Sequence, residues 1–530
     1  MPRRLHRSLL AGNLSVVLAF ALLCQPLALS QKRGAAIPLK NKAVLDRISA
    51  DSLRGHLSFI ASDLLEGRDT PSRGLDVAAE YIAAQFRRAG LEAVGDDGYF
   101  QTANWTQMVP NPQGFALTIT SDNRQFSVSD QRVSMAYDQG LNLKDAGIVK
   151  VDFNDSAALA ALTEAQVSGR VVMTEIPDFR REERARAMQI FQAMGEFRNR
   201  MQTLRAALIV SLDRSGSIGT GVSTRRLINP DNPQGQGRMQ NVPILMLHDA
   251  QAARLFDELK PGQTDAKLSF NAPPAIEKPV KLRNVIGLLR GSDPVLKDTY
   301  VMVTAHYDHV GIRSGGAGDN IFNGANDDGS GTVSVIELAA ALATRKPRPK
   351  RSIVFMTVFG EEKGLLGSRY YGKHPVFPIE KTVADINLEQ VGRTDSTEGP
   401  QLSNATLTGF DFTDLGPIFK AAGKLTGINV YKHEQNSDLY FGRSDNQALA
   451  DQGVPAHTLC VAFEYPDYHG AGDHWDKIDY ENMAKVNRMV ALALLMLADS
   501  QQAPKWNEAN PKTAKYVTAW KKRHPTEPDK

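Results

Sequence analysis

A helical pattern of apolar residues occupies the N-terminal part of the chain. In residues 46–90, one helical face is marked by apolar residues three or four positions apart: Leu53, Leu57, Ile60 and Leu64. A second set around Val77 and Tyr81 is followed by Gly90, a residue typical of helix ends. The spacing predicts two helices joined by the polar loop EGRDTPSRG.

The pattern changes to short strands in residues 113–279. Apolar runs such as GRVVMTEI and AALIVSL alternate with polar loops, and VPILMLHDAQAARLFDEL is typical of a strand that leads into a helix. Within this region, Phe179–Arg205 is rich in Arg and Glu at helical spacing, which indicates a solvated helix. We predict a β-rich inserted domain here.

Strands and helices alternate regularly from Leu282 to Ser500. The segments TYVMVTA, RSIVFMTVF, KTVADINL and PAHTLCVAF are predicted strands, and TVSVIELAAALA is a predicted helix. Strands this apolar are typical of a parallel sheet that is covered by helices on both faces. The predicted fold class is therefore α/β, with a mostly parallel central sheet flanked by helices.

Length and composition set the domain organisation. The chain has 530 residues, too many for one core, and its 42% apolar and 23% charged residues are typical of a globular protein. We predict a signal peptide, a helical part of the main domain, an inserted domain, the rest of the main domain and a polar, loosely held tail. Their respective bounds are residues 1–30, 31–112, 113–279, 280–502 and 503–530.

The first thirty residues have the order of a secretory signal peptide. Basic residues precede an apolar run over residues 9–24, and small residues follow before a cleavage point near Ser30. A retained membrane anchor is the alternative, but the run is short and is interrupted by Asn13. We predict an exported protein, periplasmic or secreted, without stable membrane insertion once the signal is removed.

Charge and cysteine content limit the partners of the protein. The formal net charge is +3, and three arginines of the signal segment account for it: Arg3, Arg4 and Arg7. The remaining charge is balanced, so nucleic acid is not an expected partner. After signal removal Cys460 is the only cysteine, which excludes a disulfide within one chain and leaves the oligomeric state open.

Histidines and acids stand at the end of each predicted strand. They are His306 and Asp308 after the first strand, Glu361 and Glu362 after the second, Glu389 after the third and His469 beyond the fourth, with Asp327 and Asp328 in the loop GANDDGSGT before the helix. Ligands of an open α/β sheet bind at the carboxyl ends of its strands. We therefore expect these side chains to share one site.

So many acids at one edge resist joint ionisation unless positive charge lies among them. A pair of divalent ions supplies that charge, and His and carboxylate ligands without thiolate suit zinc, with cobalt or manganese as substitutes. Two ions need one bridging carboxylate, which an Asp in a glycine-rich loop can provide. Each motif alone has a simpler interpretation; Glu361 and Glu362, for example, suit the start of a helix.

A family resemblance joins these motifs. AHYDHVG, NDDGSGT, FGEEKGLLGS, INLEQVGR, RSDNQAL and YHGAGDHWDKIDY resemble, in this order, the motifs of the co-catalytic zinc aminopeptidases, which form metallopeptidase family twenty-eight. The match covers about residues 282–500, and HLSFIASDLLEGRDTPSRG resembles the opening of members with an inserted protease-associated domain. The resemblance implies a zinc exopeptidase fold with a protease-associated-like domain in residues 113–279.

The resemblance also implies how two zinc ions would be held. Asp327 would bridge them, His306 and Glu389 would complete one position, and Glu362 and His469 would complete the other. In this family the peptide bond after the bridging acid is often cis. Family members usually have Asp where this chain has Glu389, a carboxylate on a longer side chain.

Other residues would act on the substrate or support the ligands. By the same resemblance Glu361 would be the general base and Asp308 would orient the ring of His306. Tyr440 and Asp445 are candidates for substrate binding, although Asn446 replaces the His that commonly follows the RSD motif. Three histidines match no ligand position and are interpreted as structural or surface residues: His309, His457 and His474.

We predict an exported dinuclear zinc aminopeptidase with peptide substrates, in which Glu361 takes a proton from a metal-activated water and returns it to the leaving amine. A carboxypeptidase or dipeptidase of the same family is the alternative. The pocket would bind a free amine through acids such as Glu464, or a free carboxylate through Arg443. A metal-free binding protein requires lost ligands, whereas all five ligand positions hold metal-competent residues.

Overall fold

The computed structural model describes residues 37–525, except 110, 112, 123, 136–139, 178–183, 215–220, 223–226, 232–241 and 314–317. Contacts between Cα atoms divide the chain into residues 1–39 and residues 40–530, and the description below concerns the second unit. The predicted signal peptide, residues 1–30, lies outside the described residues. Within the described ranges, no helix combines the length and the apolar character that crossing a membrane requires.

The described strands form two large sheets and two short pairs. In chain order they are β1 (Glu92–Ala93), β2 (Phe100–Val109), β3 (Ala116–Ser121), β4 (Arg124–Val128), β5 (Val133–Met135), β6 (Leu141–Lys150), β7 (Val171–Ile176), β8 (Leu208–Asp213), β9 (Gly221–Val222), β10 (Leu227–Ile228), β11 (Ile244–Leu247), β12 (Gly262–Ala272), β13 (Ile276–Leu289), β14 (Tyr300–His306), β15 (Gly311–Ile312), β16 (Ile321–Phe322), β17 (Ser352–Val358), β18 (Thr382–Leu388), β19 (Asp395–Ser396), β20 (Gly399–Pro400), β21 (Asn404–Leu407), β22 (Asn429–Tyr431) and β23 (Ala456–Cys460).

The described helices lie between these strands and after them. They are α1 (Leu39–Leu45), α2 (Ala50–Ile60), α3 (Arg73–Arg88), α4 (Ser156–Ala161), α5 (Glu164–Val167), α6 (Arg184–Thr203), α7 (Ala250–Glu258), α8 (Ser330–Ala343), α9 (Leu366–Lys373), α10 (Leu415–Thr426), α11 (Asn436–Leu439), α12 (Asn446–Ala450), α13 (Tyr480–Asp499) and α14 (Ala514–Arg523).

The central sheet has parallel strands in its middle and antiparallel strands towards its edges. Ten described strands belong to it, in the order β10-β2-β13-β17-β14-β18-β23-β21-β22 with β1 beside β13. The neighbours β17, β14, β18 and β23 are parallel, whereas β2 and β13 run antiparallel to their neighbours. The predicted α/β fold is confirmed, and the parallel part of the sheet is its centre.

Helices cover both faces of this centre because its strands are apolar on both sides. Tyr300 and Met302, two residues apart in β14, pack in one core cluster with Tyr371 of α9 and Leu449 of α12. The intervening Val301 is also fully buried, and α8 contacts β14, β17 and β18. Strands buried on both faces explain the continuous apolar runs in the sequence.

Strands β2 and β13 form a long antiparallel arm that carries the insertion. Val285 pairs with Phe100 and with Thr357 near the end of β17, and pairing between the arm strands continues as far as Val109 and Ile276. The arm therefore extends about 25 Å beyond β17, at about 3.3 Å per residue. It rises from the carboxyl edge of the parallel strands.

The insertion folds around a sheet of its own, here called the insert sheet. Nine described strands form it, in the order β4-β3-β12-β6-β7-β8-β11-β5-β9. Helix α6 contributes Ile190, Phe197 and Met201 to a cluster with β7 and β8 residues, so the charge-rich helix has one buried face. The β-rich character predicted for residues 113–279 agrees with this sheet, and its identity as a protease-associated domain stays a prediction.

The first two long helices follow the predicted pattern, with two differences. Val77 of the second predicted set is 40% exposed, because Ile82 and Phe86 belong to the buried face of α3 and Val77 does not. Helices α2 and α3 occupy the two predicted helical segments. Helix α2 ends at Ile60, and Leu64 is 87% exposed in a short 3-10 turn at Asp63–Arg68. The periodicity continued past the helix because a turn of this kind keeps a similar spacing.

The C-terminal segment packs on the main domain, so the prediction of a loosely held tail was wrong for its described part. The ring of Trp506 stacks on Tyr516 at 4.9 Å, and its Nε1 donates a hydrogen bond to the carbonyl of Gly453. Both aromatic residues belong to the core cluster around β14. The surrounding lysines and prolines dominate the composition of this segment and hid its few anchoring residues.

Candidate metal centre

The predicted site residues meet at the carboxyl edge of the parallel strands. His306 ends β14, Glu361 and Glu362 begin a 3-10 turn after β17, Glu389 follows β18, and His469 lies in the loop after β23. Because β17, β14, β18 and β23 are neighbours, these four chain segments lie side by side. Their side chains therefore face one common site.

Asp327 lies between two histidines of this site. Its Oδ1 is 3.3 Å from Nε2 of His306, and its Oδ2 is 3.1 Å from Nε2 of His469. One carboxylate thus presents each of its oxygens to a different imidazole. This is the arrangement that a carboxylate needs in order to bridge two cations.

The residues around Asp327 form groups that can hold metal ions. The ligand atoms of His306, Asp327 and Glu389 all lie within 4.8 Å of one another. On the other side of Asp327, Nε2 of His469 is 3.3 Å from Oε2 of Glu362. Two donors on one tetrahedral zinc ion lie about 3.3 Å apart when each bond is about 2.0 Å, so these spacings fit a zinc site.

Unpartnered polar atoms point to the same conclusion. Nε2 of His306 and Oε1 of Glu362 are buried and have no hydrogen-bond partner among the described residues. A buried polar atom without a partner costs about 1–3 kcal/mol, so such atoms rarely persist unless a further group binds them. A cation among these donors satisfies both, and the donor set is compatible with metal binding.

His309 joins this centre, although sequence comparison with the family motifs interpreted it as a structural or surface residue. It is fully buried, and its Nδ1 lies 2.8 Å from Oε1 of Glu362. Ligand atoms of His309, Asp327 and Glu362 also lie within 4.8 Å of one another. The one available signal was its place three residues after His306, directly beyond the same strand end.

The acids of the centre lie in an environment that resists further negative charge. Burial raises the pKa of Glu389 to about 7, although His306 opposes the shift. Burial also raises the pKa of Glu361 well above its usual value, and Glu389 adds to this effect. For Asp327 burial acts in the same direction, but contacts with His306 and His469 outweigh it and lower the pKa.

Neighbouring acids raise the pKa of His469, and neighbouring histidines lower the pKa of Glu362. Burial lowers the pKa of His469, but hydrogen-bonding contacts with Asp327 and Glu362 outweigh it and raise the pKa to about 10. Burial and the charge of Asp327 raise the pKa of Glu362, whereas His309 and His469 bring it down to about 2. The centre as a whole favours positive charge among its carboxylates.

Asp308 and Ser444 hold the ligands in place. Nδ1 of His306 lies 3.2 Å from the carbonyl oxygen of Asp308 and 3.6 Å from its Oδ1. That Oδ1 accepts a hydrogen bond of 3.0 Å from the backbone N–H of Glu361. The hydroxyl of Ser444 donates a hydrogen bond to Oε2 of Glu389, which fixes the longer carboxylate at this position.

The loop that carries Asp327 is held by Asp473, which sequence reasoning missed. The carboxylate of Asp473 accepts hydrogen bonds from the backbone N–H groups of Asn326 and Asp327 at 3.0 and 3.1 Å. Tyr465 donates its hydroxyl to the same carboxylate at 2.9 Å. The motif GAGDHWD contains this acid, but its spacing alone does not distinguish a loop anchor from a surface residue.

The peptide bond between Asp327 and Asp328 is cis, as the family resemblance implied. Oδ1 of Asp328 accepts hydrogen bonds from the backbone N–H groups of Gly331 and Gln390, at 2.8 and 3.3 Å. A Cβ atom at Gly331 would lie 2.1 Å from the carbonyl oxygen of Leu388, so only glycine fits there. Asp328 thus joins the loop to β18, while Asp327 faces the histidines.

A buried arginine supports the centre from beneath. Arg68 is fully buried and donates hydrogen bonds to four backbone carbonyls: those of Ile60, Tyr307, Asn323 and Gly324. Two of these carbonyls lie in the loop before Asp327, and a third lies between His306 and Asp308. The polar loop EGRDTPSRG gave no sign that one of its arginines is a core residue.

The two candidate substrate-binding residues have different surroundings. Tyr440 is partly exposed, and its hydroxyl donates a hydrogen bond of 2.9 Å to Oε1 of Glu464. Asp445 is 2% exposed, and its Oδ1 accepts a hydrogen bond of 2.5 Å from Ser368. Burial raises the pKa of Asp445 to about 6. Its role as a substrate ligand stays a prediction.

The fold and the site define an α/β protein with a histidine and carboxylate centre suited to metal ions. Residues 284–494 match the model of Peptidase family M28. The matched segment contains every predicted metal ligand. It begins within β13, after the insertion, and ends within α13.

Comparisons with individual proteins agree with this match. A probable zinc metalloprotease of Pyricularia oryzae is 30% identical over 327 residues, which cover 59% of this chain and 57% of that protein. The aminopeptidase YwaD of Bacillus subtilis is 26% identical over 229 residues, which cover 42% of this chain and 46% of that protein. The chain therefore spans about half the length of these curated relatives.

A solved structure shares the fold. The zinc aminopeptidase BSAP from Bacillus subtilis superposes with a TM-score of 0.56 at 18% sequence identity. The alignment covers 86% of this chain and 97% of that one. At this identity the likeness concerns the fold, which includes more of the chain than the family match.

Proposed function

We propose that the chain is an exported zinc metallopeptidase with a two-ion centre, and that it acts as an aminopeptidase. The observation that carries the proposal is the position of Asp327, whose two carboxylate oxygens face His306 on one side and His469 on the other. The family match of residues 284–494 and the relatives named as zinc metalloprotease and aminopeptidase support it.

His306, Asp327 and Glu389 would hold the first ion, and Asp327 would share the second with Glu362 and His469. Two zinc ions bound there would supply the Lewis acidity that polarises a peptide carbonyl and lowers the pKa of a water molecule. The protein's own contribution is the fixed geometry of the donors. Asp308, Ser444 and the supported loop before α8 provide it.

Glu361 is the proposed general base. Its carboxyl is influenced by His306, Glu389 and Glu362 of the donor set, and burial raises its pKa well above the usual value. A carboxylate in this position can take a proton from water and return it. We assign it two steps: its carboxylate oxygen accepts a proton from the attacking water, and the same oxygen then delivers that proton to the nitrogen of the leaving amine. No serine or cysteine nucleophile takes part.

The acids beside the centre support recognition of a free amine. Glu464 accepts a hydrogen bond from Tyr440, whose ring packs against Phe463 at 4.9 Å. Tyr440 lies four positions before Ser444, whose hydroxyl contacts Glu389. Arg443 stacks over the ring of Tyr440 at 4.7 Å, and it is the group through which a carboxypeptidase would bind its substrate instead.

The insertion supports a preference for short peptides. The β2–β13 arm rises from the same edge of the central sheet as the metal centre, and it carries the insert sheet above that edge. A long or folded substrate would meet this part of the molecule. The signal-like first thirty residues support export, which N-terminal sequencing of the mature protein tests directly.

The proposed activity is tested with two sets of substrates. Aminoacyl p-nitroanilides with a free amine should be hydrolysed, whereas the same compounds with an acetylated amine should not. Peptides with an amidated C-terminus should be cleaved as fast as those with a free carboxylate. Cleavage that requires the carboxylate and tolerates the blocked amine would establish a carboxypeptidase and refute the aminopeptidase proposal.

A further inference from the structure

His309 and the structural histidine His457 lie in the same domain, but they differ in the hydrogen bonds of their ring nitrogens. His457 is also fully buried, and both of its nitrogens have partners: Nδ1 lies 2.6 Å from the carbonyl oxygen of Thr408, and Nε2 lies 2.7 Å from Oγ1 of Thr413. Neither ring nitrogen of His309 has a hydrogen-bond partner among the described residues. Hydrogen bonds within the protein account for the burial of the His457 ring. The described residues provide no such hydrogen bonds to the ring of His309.

The contact between His309 and Glu362 does not replace those partners. Nδ1 of His309 is 2.8 Å from Oε1 of Glu362, yet both atoms remain without a hydrogen bond, because the pair is close but poorly aligned. Nε2 of the proposed ligand His306 is in the same condition beside Asp327. A close, misaligned pair of donors is the geometry of two ligands that share a cation.

The surroundings of His309 hold its ring towards Glu362. Its backbone N–H donates a hydrogen bond of 3.3 Å to the carbonyl of Arg68, and its ring meets the ring of His469 edge to face at 5.6 Å. A Cβ atom at Gly324 would lie 2.4 Å from Cγ of His309, so a side chain at position 324 would displace the ring. The space for this imidazole is thus built by several separate elements.

We propose that His309 is an additional protein ligand of the second metal position, alongside Asp327, Glu362 and His469. The inference rests on the proposed two-ion function. It makes the two positions unequal: the first has one imidazole and the second has two. The second position therefore binds its ion more tightly, and the ion held by His306 and Glu389 dissociates first.

The test counts imidazole ligands by X-ray absorption spectroscopy of the zinc-loaded protein. With three histidines on two ions the wild type should show about 1.5 imidazoles per zinc, and His309→Gln should show about one. His474→Gln, in the same loop as His469, is the control and should match the wild type. Chelator competition should show that His309→Gln loses affinity for the tighter ion, whereas the control does not.

A wild-type value of about one imidazole per zinc would overturn the assignment without any variant. If the count were unchanged in His309→Gln while zinc affinity fell about 10–100-fold, His309 would only position Glu362, and the assignment would again be wrong. A protein that binds a single ion would refute the two-ion function, and the count on that ion would still decide the role of His309. A protein that binds no zinc would refute both.

Discussion

The carboxylate of Asp308 accepts a hydrogen bond from the backbone N–H of Glu361, with 3.0 Å between nitrogen and oxygen. The same oxygen lies 3.6 Å from Nδ1 of His306. One fully buried acid therefore sets the position of the proposed base and the orientation of a proposed ligand. Two chain segments, after β14 and after β17, depend on this single side chain.

Replacing Asp308 by Asn should weaken metal binding more than it affects the fold. The amide oxygen can still accept a hydrogen bond from the backbone N–H of Glu361. The negative charge near Nδ1 of His306 is lost, however, and this charge favours the ring form that leaves Nε2 able to bind metal. We expect zinc affinity to fall about 10–100-fold, as is typical for partners of metal-bound histidines. Chelator competition measures this loss. Asp411→Asn, which removes an exposed ion pair with Lys432, should leave the affinity unchanged.

Glu361→Gln separates catalysis from metal binding. The amide cannot accept a proton from water, so kcat should fall about 10²–10⁴-fold, whereas the number of bound ions should stay that of the wild type. Turnover of an aminoacyl p-nitroanilide and metal analysis of the same sample provide both readouts. Wild-type turnover by this variant would show that another group is the base.

Removal of metal should destabilise the main domain. Burial raises the pKa values of Glu361 and Glu389, and neighbouring carboxylates add to both shifts, so the folded centre is costly without cations among its acids. Dialysis against a chelator should lower the melting temperature, and zinc should restore it in a concentration-dependent manner. Magnesium, which prefers oxygen ligands in octahedral geometry, serves as the control and should restore little.

Arg68→Met should destabilise the protein and loosen the loop of the centre. The change leaves the carbonyls of Ile60, Tyr307 and Asn323 without the donor that Arg68 supplies, and each buried unpaired carbonyl costs about 1–3 kcal/mol. The carbonyl of Gly324 keeps its hydrogen bond from the backbone N–H of Gly329. We expect a loss of at least about 3 kcal/mol in the free energy of unfolding. Urea denaturation measures it, with Arg88→Met on the exposed face of α3 as the control.

His457 should make stability depend on pH. Burial lowers its pKa from 6.5 to about 4 in the folded protein, although the contact with Thr408 opposes the shift. The unfolded chain therefore binds more protons between pH 6.5 and 4, and stability falls as the pH drops through this window. The effect is of the order of about 3 kcal/mol.

Denaturation across that window should give a shallower pH dependence for His457→Gln than for the wild type. The difference between the two proteins isolates His457 from the acids that titrate in the same range. His474→Gln, which alters a partly exposed histidine, should keep the wild-type slope. Equal slopes for wild type and His457→Gln would mean that His457 is already charged in the folded state.

The sequence predicted the site where a local pattern also determines the place of a residue in the fold. Strands β14, β17, β18 and β23 are continuous apolar runs, and a parallel sheet brings their carboxyl ends to one edge. His306, Glu361, Glu389 and His469 could therefore be placed together without coordinates. The glycines and aspartates around Asp327 indicated a turn before a helix, and only the strand ends beside it indicated a metal site.

Contacts between distant segments were not predictable in this way. Arg68 lies in a loop of ordinary polar composition, and only the folded chain shows that it binds carbonyls more than 200 residues away. His309 matches no ligand position of the family motifs, so the sequence alone did not distinguish it from a structural histidine. Trp506 is one aromatic residue among lysines, and its burial depends on Tyr516 and Gly453. Each of these roles is set by tertiary packing and leaves no periodic trace.

The arm of β2 and β13 connects the insertion to the central sheet in a way that allows the insertion to vary in size. Apart from the short strand β10, which pairs with β2, the chain leaves the central sheet at Val109 and returns at Ile276, and these two residues are direct cross-strand partners. The insertion is thus the tip of the hairpin formed by β2 and β13, although this tip is very large. A change in the length or fold of this tip leaves the pairing of β13, β17, β14, β18 and β23 intact, so the insertion and the metal centre can vary independently.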